Sequence, residues 1–272
     1  MSYYTSREEA DDAWANAAYI PDADAYIDKW TQEAVAFREH LGASGRTRLD
    51  CTYGPSDRQR YDLFLPDGTP KGLMIFIHGG YWLRFDKSFW SHFAQGGVEN
   101  GWAVAMPSYD LCPAVGIPDI TAQITRAIET IVSEYPDLPI AITGHSAGGH
   151  LTARMLEKGR FAPELEARIA RAVPISPVAD LRPIMETSMN DSFKLSEATA
   201  VAESPTLSRN SLDIPITVWV GGIERPVFIE QAKEMSKAWE CGLYIAEARH
   251  HFDVIDGLKD ADAPLIKDLL GL

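Results

Sequence analysis

The apolar positions of this chain fall in short blocks whose spacing changes along its length. Residues 1–45 are largely polar, with a helical stripe in which Tyr26, Trp30, Ala34 and Phe37 lie on one face. Asp22 stands where a capping residue would start that helix, and Trp14 and Tyr19 add aromatic mass before it. From Arg46 the period becomes two. Residues 48–53 and 59–65 alternate around Gly54-Pro55-Ser56-Asp57, which predicts an antiparallel hairpin exposed on one face. Residues 72–77 are apolar throughout, as in a strand covered on both faces. A helix is expected over 89–100 and a strand over 102–106. A longer helix over 117–135 follows, with Ile117, Ile120, Ile124, Ala127, Ile128, Ile131 and Tyr135 in 3.6-residue step. Further strands are expected at 138–143, 170–175, 216–220 and 243–246, and further helices from Gly149, over 227–239 and at the end of the chain.

Repeated alternation of strand and helix predicts an α/β fold: a mostly parallel central sheet, helices on both faces and an antiparallel hairpin at the N-terminal edge. The expected organisation is a helical arm (1–45) packed on a single domain (46–272), with the alternative that the arm's aromatics also line the entrance to a site. Residues 188–210 fit the alternation poorly and are expected to form a small cap over the strand ends.

Composition narrows the partners. The formal charge is −14 and no Lys/Arg cluster offsets it, which argues against nucleic acid. No apolar run is long enough to span a bilayer, and the first residues lack the basic-then-apolar pattern of a secretory signal. The three cysteines, Cys51, Cys112 and Cys241, are scattered and lack metal-ligand spacing. No metal or cofactor is expected, and a reducing cytoplasm fits. The oligomeric state is not legible.

The chemistry gathers where strands are expected to end, which is where open α/β sheets bind ligands. Gly144-His145-Ser146-Ala147-Gly148 lies between a predicted strand and a predicted helix. A serine pinched between glycines at such a turn presents its hydroxyl as a nucleophile. His78-Gly79-Gly80-Tyr81-Trp82 follows the 72–77 strand. The N–H groups of Gly79 and Gly80, with that of Ala147, are candidates to hold an oxyanion. Glu224, just past the 216–220 strand, is the candidate orienting carboxylate, with Asp180 as competitor. His251 is the candidate base, with the adjacent His250 as fallback. The order Ser146, Glu224, His251 is that of α/β-hydrolases. Tyr81 and Trp82 are candidate walls for an aromatic substrate, whereas Arg84 and Lys87 are expected in solvent.

These residues resemble the kynurenine formamidases (arylformamidases) of the α/β-hydrolase fold. The likeness rests on His78 to Trp82 with Asp86-Lys87-Ser88, on Gly144 to Leu151, on Tyr53-Gly54 with Leu63, on Gly221 to Phe228, and on His251-Phe252. It covers about residues 46–260, with Glu224 where Asp is commoner in that family. It implies hydrolysis of an aryl formamide or small ester through Ser146, His251 and Glu224. A general short-chain carboxylesterase would carry the same groups. A non-catalytic binding protein of this fold usually loses one of them, and here all are present.

Overall fold

The computed structural model describes residues 2–208 and 210–272. Its strands are β1 (Thr47–Thr52), β2 (Arg60–Phe64), β3 (Leu73–Ile77), β4 (Ala103–Pro107), β5 (Ile140–His145), β6 (Ile169–Ile175), β7 (Thr217–Gly221) and β8 (Gly242–Ala246). They form one sheet in the order β1-β2-β4-β3-β5-β6-β7-β8. β2 pairs antiparallel with both β1 and β4, and the remaining pairs are parallel.

Both faces of the sheet are covered, and β3 shows how. Leu73, Ile75 and Ile77 pack to one side and Met74 and Phe76 to the other, all of them buried. An apolar run is what a strand with period-two side chains needs when helices lie on both sides. One face is covered by α4 (Ile117–Ser133), α5 (Ala147–Met155) and the helix Pro226–Trp239. The other is covered by α2 (Ala23–Gly42), α3 (Gln95–Glu99) and the helix Pro264–Leu270. A short α1 (Arg7–Ala13) precedes them. In α4 the predicted stripe is buried, from Ile117 and Ile120 to Ile128 and Ile131. Each such side chain contributes roughly 1.5–3 kcal/mol by leaving water. Asp119 accepts the N–H of Gly116 at 2.9 Å and fixes the start of this helix.

Three expectations are corrected. The hairpin is not evenly half-exposed, because β1 is the edge and β2 lies inside the sheet. Tyr61 to Phe64 are therefore buried, and Phe37 of α2 packs on Phe64 with ring centroids 5.3 Å apart. The helix expected over 89–100 breaks into two tight turns, Lys87–Phe89 and Ser91–Ala94, before α3. Glycines here are poor helix formers but allow close packing: a Cβ on Gly97 would lie 2.7 Å from Val104 and 2.9 Å from Met74. Asp22 does not cap α2 with its side chain. Its backbone is left-handed (φ 51°), whereas a capping residue is normally extended. The 188–210 stretch forms the small helices Asn190–Phe193 and Glu197–Ala202, anchored by buried Phe193, Leu195 and Ala200; Arg209 lies outside the described residues.

Candidate active site

Ser146 sits between β5 and α5 with φ 59° and ψ −116°, a conformation L-residues avoid. The fold enforces it. Its N–H donates to the carbonyl of Ile175 on β6 at 2.8 Å, and its carbonyl accepts from His150 at 3.0 Å. The turn needs its glycines for space: a Cβ on Gly148 would fall 1.9 Å from the Ile77 carbonyl oxygen.

The loop after β3 lies against this turn. A Cβ on Gly79 would stand 2.7 Å from the His145 carbonyl oxygen and 3.1 Å from the Ser146 Cβ. Among the described residues, the N–H groups of Gly79, Gly80 and Ala147 have no protein acceptor. Such groups beside a nucleophile form the kind of preorganised donor set that binds an oxyanion. The loop is held from below. The His78 ring stacks on Tyr109 (centroids 4.2 Å apart, planes at 6°), and the Tyr109 hydroxyl donates to the His78 carbonyl at 2.8 Å. Lys87, expected in solvent, is instead buried, and its ammonium meets Asp50 at 2.7 Å and Asp62 at 2.8 Å. That pair ties the loop to the hairpin.

The structure brings Glu224 and His251 together. His251 Nδ1 is 2.5 Å from Glu224 Oε2. The other carboxylate oxygen accepts from Ser176 Oγ at 2.5 Å and from the Gly221 N–H at 2.7 Å. A buried carboxylate needs such donors, and here they also fix its orientation. With Nδ1 engaged by Glu224, Nε2 is the other ring nitrogen of His251. Ser146 and His251 line one cavity, without a hydrogen bond between them in this conformation; such contacts often tighten only when substrate binds. His145 lies beside His251, with ring centroids 4.5 Å apart. Burial, and then the neighbouring His251, hold His145 well below the usual imidazole range, so it stays neutral. The competing residues are engaged elsewhere. Asp180 pairs with Arg182 at 2.6 Å, and His250 Nε2 lies 3.1 Å from the Tyr26 hydroxyl.

The cavity holds about 380 Å³, near the lower end of small-molecule sites. Tyr81 lines it. Trp82 does not: it is fully buried, edge-on to His150 (5.1 Å) and Phe193 (5.6 Å). Two successive left-handed residues, Tyr81 (φ 54°) and Trp82 (φ 55°), turn these neighbours to different sides. The N-terminal arm does more than pack on the domain, because Trp14, Asn16, Ala18, Ile27 and Trp30 form part of the cavity wall. Arg225 pins the arm, lying 3.6 Å from the Tyr19 ring centroid and 2.9 Å from Asp12. Ser188 and Met189 are the part of the cap stretch that reaches the cavity. A second cavity of about 720 Å³ beside α2 contains none of the candidate catalytic residues.

The BD-FAE family model matches residues 61–267. The chain belongs to the BD-FAE hydrolase family. Within it the likeness is to kynurenine formamidases. The kynurenine formamidase of Danio rerio is 30% identical over 238 residues, covering 83% of this chain and 81% of that one. The crystal structure of a candidate thioesterase from Silicibacter sp. tm1040 superposes with a TM-score of 0.93 at 50% identity, covering 96% of this chain and 99% of that one. Esterase B of Lactobacillus rhamnosis, at 18% identity, has the same fold, with a TM-score of 0.63 and coverage of 91% and 92%. This BD-FAE member is thus an α/β-hydrolase and an enzyme acting on ester or amide substrates. Among its described residues, no helix is long and apolar enough to cross a membrane, and no group of three or more His, Cys, Asp or Glu is placed to hold a metal ion.

Sequence reasoning missed Ser176 and Asn16. Ser176 follows β6 with φ 45°, and its sequence context, a serine before a proline, carries no signal of its role.

Proposed function

We propose that this hydrolase cleaves aryl formamides through an acyl-enzyme on Ser146. The observation that carries the reading is the Glu224–His251 pair, oriented by Ser176 and Gly221 and opening on the same small aromatic cavity as Ser146. His251 takes the Ser146 proton on Nε2 as the serine oxygen attacks the formyl carbon. Glu224 holds Nδ1–H and stabilises the imidazolium. The N–H groups of Gly79, Gly80 and Ala147 hold the oxyanion, a contribution of roughly 3–4 kcal/mol in the transition state. His251 then gives its proton to the leaving nitrogen, and the C–N bond breaks. A water, deprotonated by the same nitrogen, releases formate and restores Ser146. Tyr81 and the arm residues Trp14 and Trp30 supply the aromatic walls. The substrate is a free small molecule, neither nucleic acid nor membrane, met in the cytoplasm.

The deciding experiment compares wild type and Ser146→Ala on N-formylkynurenine and on p-nitrophenyl acetate. The reading requires a much higher kcat/KM on the formamide, abolished in the variant. Turnover of the ester alone would keep the mechanism and replace the substrate class. Because the 50%-identical neighbour is named as a thioesterase candidate, an acyl thioester belongs in the same assay as the second reading.

A further inference from the structure

The arm brings one polar side chain to the cavity whose hydrogen bonding is incomplete. Asn16 is buried, 7% exposed, and lines the same cavity as Ser146 and His251. Its Nδ2 donates to the Tyr81 hydroxyl at 3.1 Å, and that hydroxyl donates to the Trp14 carbonyl at 2.7 Å. A phenol has one hydrogen, so once Tyr81 donates to Trp14 it can only accept from Asn16. This settles which way the amide points. Oδ1 is then the acceptor left over, and among the described residues nothing donates to it. A buried amide oxygen without a donor is costly unless something that binds there completes it.

We infer that Asn16 is a specificity-determining residue whose Oδ1 accepts the N–H of the scissile amide, so that the site favours formamides over the matching esters. The inference rests on the formamidase reading and deepens it. A formyl group is so small that nearly all of the substrate in the cavity is leaving group, and the arm wall therefore meets the leaving amine. In the tetrahedral intermediate the nitrogen lone pair must face His251 to receive its proton. That turns the N–H away from the base, where it needs an acceptor of its own. An ester has no hydrogen there, so it gains nothing from Asn16. Tyr81 acts through Asn16 by holding its amide in this orientation.

The test is a cycle of two substrates and three variants. Formanilide and phenyl formate share the acyl group and the ring and differ in N–H against O. In Asn16→Leu, kcat/KM for formanilide is expected to fall about tenfold or more while that for phenyl formate changes less than about threefold. Asn16→Asp keeps an acceptor oxygen, but its second oxygen faces the Tyr81 hydroxyl, which must leave Trp14 to donate to it; this variant should retain part of the amide preference. Tyr81→Phe should lose part of it. Thermal unfolding of each variant separates a displaced arm from a lost contact. Equal losses on both substrates, or an unchanged ratio in a folded Asn16→Leu, would overturn the inference. An unchanged ratio would mean that Oδ1 is satisfied from the neighbouring cavity of about 220 Å³, which Asn16 shares with Arg225, itself carrying an unpartnered Nε. Wild-type enzyme that hydrolyses phenyl formate but not formanilide would instead end the formamidase reading, and this inference with it.

Discussion

Replacing Glu224 by glutamine keeps size and shape and changes one atom's chemistry. Oε1 receives hydrogens from Ser176 and from the Gly221 N–H, at 2.5 and 2.7 Å. An amide NH₂ placed there would face two donors, so glutamine must put its carbonyl oxygen at that position. Its NH₂ then faces His251 Nδ1, which stands 2.5 Å from Oε2 in the native pair. Nδ1 must become an acceptor, and the ring proton moves to Nε2. A histidine protonated at Nε2 cannot take the serine proton. The loss expected for a triad locked in the wrong tautomer is about 10⁴-fold in kcat, or about 5 kcal/mol of barrier. The assay is steady-state turnover of p-nitrophenyl acetate, which does not depend on the formamide reading, together with ¹⁵N spectra of the imidazole to report the tautomer. Asp180→Asn is the control, because Asp180 is held by Arg182, and it should stay within about threefold of wild type. A Glu224→Gln enzyme within tenfold of wild type, or a larger loss in Asp180→Asn, would refute the assignment of the acid.

Three further outcomes follow from the same geometry. Gly79→Ala places a Cβ 2.7 Å from the His145 carbonyl oxygen; kcat should fall about 100-fold or more as the loop moves off the serine turn, and a loss under threefold would show that its N–H groups are not used. Trp82→Phe should lower the urea unfolding free energy by roughly 1–3 kcal/mol while leaving KM unchanged, because Trp82 packs behind the cavity; a large KM change without destabilisation would restore it to the binding wall. Burial lowers His78 to about 4 and His150 to about 3, below the usual value near 6.5. From pH 6.5 down towards 4 the unfolded chain therefore binds more protons than the fold, and stability drops as pH falls through that window. Urea titrations at several pH values should show this slope, and His150→Gln should reduce it, with His78 carrying the rest; an unchanged slope would mean that His150 is not held neutral.

The parts of the site legible in the sequence are those made by neighbouring residues. A serine between glycines at a strand end, two glycines after an apolar strand and a glutamate past another strand each carry their geometry within a few positions. The sheet sets their convergence, since parallel strands end on one side. Trp82 was misplaced because adjacency in a loop says nothing of direction when both residues adopt positive φ. The 89–100 helix was misjudged because the apolar pattern survives while Gly96 and Gly97 break the propensity.

What lay beyond the sequence is contact between distant segments. Ser176 meets Glu224 across 48 residues and Asn16 meets Tyr81 across 65. Neither residue is unusual in its own neighbourhood, and no periodicity or motif marks it. Both matter for the same reason: each fixes the direction of a hydrogen bond on a group that has a choice. Ser176 decides which carboxylate oxygen faces the base. Tyr81, braced on Trp14, decides which end of the Asn16 amide is left free. On the proposed mechanism the strand ends carry the chemistry, and the arm, whose residues line the cavity beside them, carries the selectivity. Substrate preference should therefore change more readily through residues 14–30 than through the turns that carry Ser146, Glu224 and His251. Exchanging this arm segment for that of an esterase of the same fold should alter the formanilide to phenyl formate ratio while leaving the effect of Glu224→Gln intact; an exchange that alters neither would return the arm to a merely packing role.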